Sequence, residues 1–189
     1  MSLVLKKYSP VLSVLTDVSD ADTLAVAQLI GRPPGGLKSI AVRSDTGSPV
    51  VIQVSSLVKN KPFPTLFWLV DKQLNYQIDV IEAAGFIAQC QAIVDASSAL
   101  QADLAQEHRA YIKLRDELMT EPERQAIEAL GFARALRDRG IGGIQNFTRI
   151  RCLHTHYAAH LVQPNTVGAM VDQYWRDNDV AFRDLSYVG

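Results

Sequence analysis

The sequence has little of what marks the specialised classes of protein. Only 2 of its 189 residues are cysteine, too few for a disulfide-stabilised scaffold, so a reducing cytoplasm is the simplest compartment. Charged or polar residues interrupt every apolar stretch before it reaches the roughly 18 residues of a membrane span. The net charge of −1 gives no overall field that would attract nucleic acid or an anionic membrane. We therefore expect a soluble protein that binds neither membranes nor nucleic acid.

We also expect no export signal at the N-terminus, because Lys6 and Lys7 follow a very short apolar run and do not precede a long one. No internal repeat or low-complexity tract is present. The remaining composition, 48% hydrophobic and 21% charged, is that of a globular protein. The length predicts a single domain, 1–189. We divide it into an N-terminal extension, a helix with a small sheet, and a helical part, at 1–18, 19–70 and 71–189.

The sequence of residues 19–70 predicts one short helix and three strands. Ser19, with an acid three positions later, is an N-cap signature, so a helix should run over about 20–30 and end at Gly31. Paired prolines and glycines at 31–36 predict a loop. Two β-branched runs around a Ser-Asp-Thr-Gly turn predict a hairpin, and an apolar run behind prolines predicts a third strand. These strands are expected at 39–43, 49–55 and 62–70.

From Asp71 onward apolar residues recur with a period of about 3.6, which predicts helices. Gly85 should break the first of these helices. The others are expected at 96–119 as a long amphipathic helix, from 120 to Gly140, and at about 149–162 and 166–178. Asn165 is the expected cap of the last helix. The predicted fold class is α+β, with a small antiparallel three-stranded sheet followed by a mostly helical C-terminal half.

Most of the chemically informative residues lie close together, at Cys152, His154, His156 and His160. On a helix, at about 100° per residue, Cys152, His156 and His160 share one face and His154 points the other way. Imidazole and thiolate are ligands of zinc and similar metals. The cluster therefore predicts a divalent-metal site whose remaining ligands come from elsewhere, with His108, Glu107 and Asp71 as candidates.

Two other interpretations of the cluster stay open. The histidines can be bonded to carbonyls and the cysteine packed as a small hydrophobe, which would make the cluster structural. Alternatively, Cys152 and His156, one helical turn apart, form a nucleophilic pair in which the histidine lowers the pKa of the thiol. The sequence identifies no orienting acid and no oxyanion loop for such a pair, and it assigns no catalytic residue.

Arginines supply a second set of candidate ligand-binding residues. Residues 134–151 contain five arginines and a single acid, which makes this stretch a basic patch. The glycine-rich loop within the patch has backbone N–H groups that suit an anion such as phosphate. The alternative is a glycine turn with solvated arginines. The candidates are Arg149, Arg151, Gly142 and Gly143 from the patch, together with Arg32 and Arg43, which lie on rigid backbone elsewhere.

Six short blocks occur in order along the chain. They are Gly-Arg-Pro-Pro-Gly at 31–35, Pro-Phe-Pro-Thr-Leu-Phe-Trp-Leu at 62–69, Ile-Glu-Ala-Ala-Gly at 81–85, Gly-Ile-Gly-Gly at 140–143, Arg-Cys-Leu-His-Thr-His-Tyr at 151–157, and Asn165 with Gly168. Together they resemble the signature of the bacterial domain of unknown function 501 (DUF501) family. The resemblance implies a bacterial cytoplasmic protein without an established activity. It also implies cysteines in relatives near the hairpin turn and after the apolar strand, where this chain has none.

Three functional hypotheses follow. In the first, the Cys/His cluster meets Arg32 and Arg43 in a ligand or enzyme site, with a divalent metal such as zinc as cofactor. In the second, the chain is a non-enzymatic interaction or regulatory module that uses the 96–119 helix or the aromatic strand to bind a partner or a second copy of itself. That role predicts exposed apolar residues at those elements. In the third, the 134–151 patch binds phosphate or a nucleotide.

Overall fold

The first helix forms where the sequence predicts it. The structure, a computed structural model, describes residues 9–10, 18–178 and 180. Helix α1 (Asp20–Ile30) begins at Ser19, whose Oγ accepts a hydrogen bond from the Asp22 N–H at 3.1 Å, and it ends at Gly31. The predicted helix at 20–30 is confirmed.

The strands form one antiparallel sheet and a separate small hairpin. Their bounds are β1 (Ser9–Pro10), β2 (Leu37–Arg43), β3 (Pro49–Val54), β4 (Leu57–Val58), β5 (Lys61–Pro62) and β6 (Phe67–Leu69). The sheet has the order β1–β2–β3–β6, and β4 pairs with β5. Its three longer strands, β2, β3 and β6, confirm the predicted small antiparallel sheet. The two-residue β1 adds a short pairing at the edge beside β2.

The β4–β5 hairpin is an element that the sequence did not predict. Its turn consists of Lys59 and Asn60, which adopt φ angles of 51° and 58°. Such turns usually carry glycine, and asparagine tolerates this conformation better than lysine does. The turn therefore lacks the glycine by which such a hairpin turn would be predicted from the sequence.

Both faces of the sheet are covered by helices. Phe67 packs with the helices of the C-terminal half, whereas Trp68 lies on the opposite face with Val26 of α1. Phe63 meets the Trp68 ring edge-on at 5.7 Å, and the Arg32 guanidinium lies 5.7 Å from its centroid. The aromatic strand is thus part of the core, and it gives no support to a partner surface.

The C-terminal half is helical, as predicted. Its helices are α2 (Lys72–Ala83), α3 (Phe86–Asp95), α4 (Ser98–Glu117), α5 (Glu121–Ala129), α6 (Ala133–Arg137), α7 (Leu153–Val162) and α8 (Thr166–Asp177), with a 3-10 turn at Ile141–Gly143. Helix α4 is the predicted long helix, and Asn165 caps α8 as expected. Among the described helices, none combines the length and the apolar character needed to cross a membrane.

Two predicted helices have different bounds in the structure. The helix expected from 120 to Gly140 is interrupted at Gly131 and becomes α5 and α6. The helix expected from 149 begins only at Leu153. The reason is a tertiary contact, because Gln91 Oε1 accepts a hydrogen bond from the Ile150 N–H at 2.8 Å and holds this segment outside the helix. Local sequence carries no sign of that bond.

Helix α7 lies at the centre of the helical half. Eight of its 10 residues are buried, and it packs against both β6 and α8. At the start of β6, Tyr111 of α4 accepts hydrogen bonds from the Leu66 and Phe67 N–H groups at 2.7 and 3.3 Å. Helices α4 and α7 therefore both contact the sheet at β6.

Candidate functional site

Cys152, His154 and Glu82 form the one group of three potential metal ligands within the described residues. One ligand atom from each side chain lies within 4.8 Å of the other two. The Cys152 Sγ is 3.8 Å from His154 Nδ1, and Glu82 Oε1 is 3.4 Å from the same nitrogen. All three side chains are partly buried. The group is therefore held by the fold and is still reachable from solvent.

The N-terminus of α7 and the last turn of α2 bring these residues together. Cys152 is the N-cap residue of α7, and Thr155 Oγ1 donates to its carbonyl at 3.1 Å. Glu82 of α2 accepts a hydrogen bond of 2.5 Å from the Leu153 N–H. Free backbone N–H groups and the helix dipole favour negative charge at a helix N-terminus. This position therefore stabilises the anionic forms of both the thiol and the carboxyl group.

Two further oxygens lie behind the His154 ring. The Nε2 atom is 3.3 Å from Asp79 Oδ1 and 3.3 Å from the Asn75 carbonyl oxygen, both on α2. A proton on Nε2 is donated to these oxygens, which leaves Nδ1 directed toward Cys152 and Glu82. Metal-binding histidines are commonly oriented by such a bond from the second ring nitrogen.

The neighbouring side chains in this group favour the charged forms of both Cys152 and His154. Burial opposes ionisation of the Cys152 thiol, but hydrogen bonds from His154 and the Thr155 N–H outweigh it, so the pKa of Cys152 lies below its usual value. Burial also opposes protonation of His154, whereas Cys152, Glu82 and Asp79 favour it and raise its pKa to about 9. Without a bound cation, Cys152 and His154 therefore tend toward a thiolate–imidazolium pair beside two carboxylates.

This arrangement permits two kinds of chemistry. A thiolate, an imidazole nitrogen and a carboxylate suit Zn²⁺ or a similar divalent ion, and three protein ligands leave a fourth position for water or substrate. The ion-paired thiolate can also act as a nucleophile. In that case the partner of Cys152 is His154 and not His156, with which the sequence analysis paired it.

The predicted shared face of Cys152, His156 and His160 is wrong. Cys152 precedes α7 with φ and ψ of −151° and 121°, so it does not follow the helical spacing. His156 and His160 point into the core and are 0% and 2% exposed. His154, expected to point away from the others, is the histidine beside Cys152. The four predicted metal ligands thus occupy three separate environments.

His156 lies beside His108 in the core, with ring centroids 5.6 Å apart. His108 stacks on Phe147, and its Nδ1 accepts a hydrogen bond from the Ile141 N–H at 3.0 Å. Gly140 makes room for the His108 ring, because a Cβ at this position would overlap it. Burial lowers the pKa of His108 to about 4, and burial together with His108 lowers the pKa of His156 to about 3. Both rings are therefore neutral at pH 7.

These neutral rings predict a loss of stability in mild acid. Between pH 6.5 and about 4, the unfolded chain binds protons on both histidines and the folded chain does not, so the free energy of unfolding falls as the pH falls. Each ring accounts for up to about 1.4 kcal/mol per pH unit. Urea unfolding between pH 7 and 4.5 measures this slope, and His108→Gln, which keeps an acceptor for Ile141, should make it shallower. Equal slopes in the two proteins would contradict the assignment.

His160 belongs to another buried network, which joins α7 to α8. Its Nδ1 accepts a hydrogen bond from the Asn165 N–H at 2.9 Å, so Nε2 carries the proton and donates to Asp172 Oδ2 at 3.2 Å. The Tyr157 hydroxyl donates to the other Asp172 oxygen at 3.0 Å. Gly168 faces the His160 ring, and a Cβ there would overlap it. We therefore assign His160 a structural role.

Arg32 and Arg43 do not reach the histidines, so their predicted convergence on the Cys/His cluster is wrong. Arg32 lies over Trp68 on the far face of the sheet. Arg43 donates to Asp22 at 2.6 Å and ties the hairpin to α1. Both arginines therefore act within the N-terminal half of the fold.

The candidates from the 134–151 patch lie in a tight turn and in the segment between that turn and α7. Arg149 and Arg151 are exposed, and Arg149 lies 3.7 Å from Asp95. Gly142 and Gly143 belong to the 3-10 turn. The Gly143 N–H donates to the Gly140 carbonyl at 3.0 Å, and a Cβ on Gly142 would meet Thr155. The glycines thus serve a tight turn packed against α7, which was the alternative that the sequence left open.

Glu82 and Asp79 were not predicted from the sequence, because their contacts with α7 span more than 70 positions of the chain. The residues proposed in their place have other functions in the fold. Glu107 accepts from the Thr166 N–H at 2.7 Å, Asp71 caps α2, and His108 pairs with His156. The sequence did contain a weak indication of a carboxylate pair, because Glu82 and Asp79 are three positions apart and share a face of α2.

The long helix α4 offers little apolar surface. The described large hydrophobic residues that are exposed are Leu24, Tyr76, Val80, Ile93 and Leu130, and none of them is on α4. The interaction-module hypothesis required such residues at this helix. The structure therefore does not favour a partner-binding role for it.

Comparisons with known proteins identify the chain at the level of a family. A family model described as "Protein of unknown function (DUF501)" matches residues 40–173, a segment that contains Glu82, Cys152 and His154. No curated protein and no solved structure matches the chain. Since the family match covers well over half of the 189 residues, the chain belongs to the DUF501 family.

Proposed function

We propose that this protein binds a divalent transition-metal ion, best suited to zinc, through Cys152, His154 and Glu82. The observation that carries the proposal is the approach of a thiol sulfur, an imidazole nitrogen and a carboxylate oxygen to within 4.8 Å of one another. A thiolate ligand favours zinc over magnesium and calcium, which prefer oxygen. A thiolate and a carboxylate together also balance the charge of a divalent ion.

A coordination position without a protein ligand from the described residues supports a role in chemistry. Structural zinc sites are usually closed by four protein ligands, whereas catalytic sites keep three and bind water or substrate in the fourth position. Asp79 would orient His154 from behind, in the manner of outer-shell carboxylates at such sites. We propose that the ligand acted upon coordinates at this position on the surface between α2 and α7.

Metal analysis tests the proposal. Protein equilibrated with zinc and then dialysed should retain about one equivalent, and less than about one tenth would contradict the proposal. Glu82→Gln keeps an acceptor for the Leu153 N–H but removes the charge, so zinc affinity should fall about 10-fold or more in a chelator competition assay. Glu117→Gln is the matched control, because Glu117 is an exposed glutamate at the end of another helix. Equal losses in both variants would also contradict the assignment.

A metal-free thiolate nucleophile is the second candidate function. It is favoured by the lowered pKa of Cys152 beside His154. The distinguishing result is rapid alkylation of Cys152 by iodoacetamide near neutral pH in protein that retains no zinc. Retention of zinc, with protection of Cys152 from alkylation by the metal, would favour the metal site.

We also propose that the protein works in the bacterial cytoplasm. Both Cys90 and Cys152 are free thiols. A reducing compartment preserves the Cys152 thiolate that either candidate function requires.

A further inference from the structure

Helices α4, α5 and α6 enclose a groove of about 380 Å³, within the size range of small-molecule sites. Its lining combines apolar side chains with five basic and two acidic ones, and the acidic residues are Asp116 and Glu128. The basic residues are Arg109, Lys113, Arg115, Arg124 and Arg137. The apolar floor includes Ile112, Ile127 and Leu136, of which the last two are buried.

Part of this positive charge has no acidic partner. Arg124 is paired with Asp116 at 2.5 Å, and Lys113 lies 3.6 Å from Glu117. By contrast, Arg109 and Arg137 form no side-chain hydrogen bond and no ion pair with any residue that the structure describes. Arg109 is also one helical turn from Lys113, a like-charge spacing that destabilises a helix. An anion in the groove would relieve this repulsion.

Arg115 adds a buried cation to the same groove. Its side chain is 2% exposed, and its guanidinium donates to the carbonyls of Pro64, Leu136 and Arg139. No carboxylate among the described residues lies within ion-pair distance of it. Carbonyl oxygens satisfy the donors of this guanidinium, and Asp116 favours its charge from beyond ion-pair distance. The charge of Arg115 is therefore only partly compensated, which favours an anion in the adjoining space.

We propose that this groove binds a small organic anion, namely an apolar chain or ring that carries a carboxylate or a phosphate. Arg109 and Arg137 hold the anionic group, and Ile127 and Leu136 contact the apolar body. An inorganic anion would leave the apolar floor uncovered, and a neutral apolar ligand would leave the cations unpaired. Of the basic patch predicted from the sequence, Arg137 is the arginine that lines this groove.

Calorimetric titration with model ligands tests the proposal. Octyl phosphate or octanoate should bind the wild-type protein, more weakly at high salt because the contacts are charged. Inorganic phosphate should bind at least about 10-fold more weakly than octyl phosphate, since it lacks the apolar body. The relative affinities of octyl phosphate and octanoate then identify the preferred anionic group. Absence of binding by both at millimolar concentration would overturn the proposal.

Variants separate a specific site from a general charge effect. Arg109→Gln and Arg137→Gln should each weaken binding about 10-fold or more, because each removes a charge-assisted contact. Arg134→Gln is the control: it lies on the same helix as Arg137, pairs with Asp138 at 3.4 Å and does not line the groove. None of these three substitutions at exposed positions should lower the thermal midpoint, and Arg109→Gln should raise it slightly by removing the repulsion with Lys113. Equal binding by all three variants and the wild type, or equal binding of octyltrimethylammonium, would overturn the proposal.

Discussion

Gly168→Ala is expected to destabilise the protein by about 3 kcal/mol, although alanine is the better helix former. In an open helix position this substitution would stabilise by about 1 kcal/mol. Here the new Cβ would overlap the ring of His160, which is fixed by Asn165 and Asp172. Overpacking costs about 1–3 kcal/mol, and breaking a buried hydrogen bond costs a similar amount. The steric and hydrogen-bond losses therefore exceed the gain in helix propensity.

Urea unfolding of Gly168→Ala against Gly47→Ala separates this clash from general effects of alanine. Gly47 has a φ of 85° at the exposed hairpin turn, and a Cβ there would have no neighbour within 4 Å. Its replacement should cost only about 1 kcal/mol, from the unfavourable backbone conformation. A Gly168 variant as stable as the wild type would show that His160 is not locked in this network.

Cys152→Ser is expected to lower zinc affinity by more than about 100-fold, beyond the loss typical of an outer-shell residue. A serine hydroxyl stays protonated at neutral pH and is a poor substitute for a thiolate ligand. The metal-free variant should remain folded, because position 152 is the N-cap of α7 and serine, a preferred N-cap residue, offsets the loss of the thiolate–imidazolium pair. Lost binding therefore cannot be attributed to lost folding.

The matched control for this variant is Cys90→Ala, which removes the other thiol. Cys90 is buried in α3, and burial raises its pKa to about 11, so it offers no thiolate at neutral pH. Its replacement by alanine should cost some stability by leaving a small cavity, but it should not change zinc affinity. Competition with a chromophoric chelator measures both variants. Wild-type affinity in Cys152→Ser would contradict the assigned ligand set.

The sequence predicted those parts of the fold that are determined locally. The Ser19 and Asn165 caps, the hairpin turn and the long amphipathic helix depend on neighbouring residues and formed as expected. The start of α7 was wrong because Gln91, from a distant helix, bonds the Ile150 N–H. Helix boundaries that depend on such tertiary bonds leave no local pattern.

The candidate site was predicted in part. The sequence identified Cys152 and His154 as chemically important, but helical spacing assigned Cys152 to the wrong neighbours because it assumed that the helix had already begun. Glu82 comes from α2, and only the packing of α2 against α7 shows that its carboxylate belongs to the group. Gly140 and Gly168 leave space for buried histidine rings, and this role likewise becomes visible only in the packed structure.

Cobalt(II) titration tests the metal-site assignment most directly, because sulfur-to-cobalt charge transfer reports thiolate coordination. We expect a charge-transfer absorption that saturates at one equivalent in the wild type and in Cys90→Ala, and that is absent in Cys152→Ser. No such absorption in the wild type, or the same absorption in Cys152→Ser, would contradict a metal site built on Cys152, His154 and Glu82.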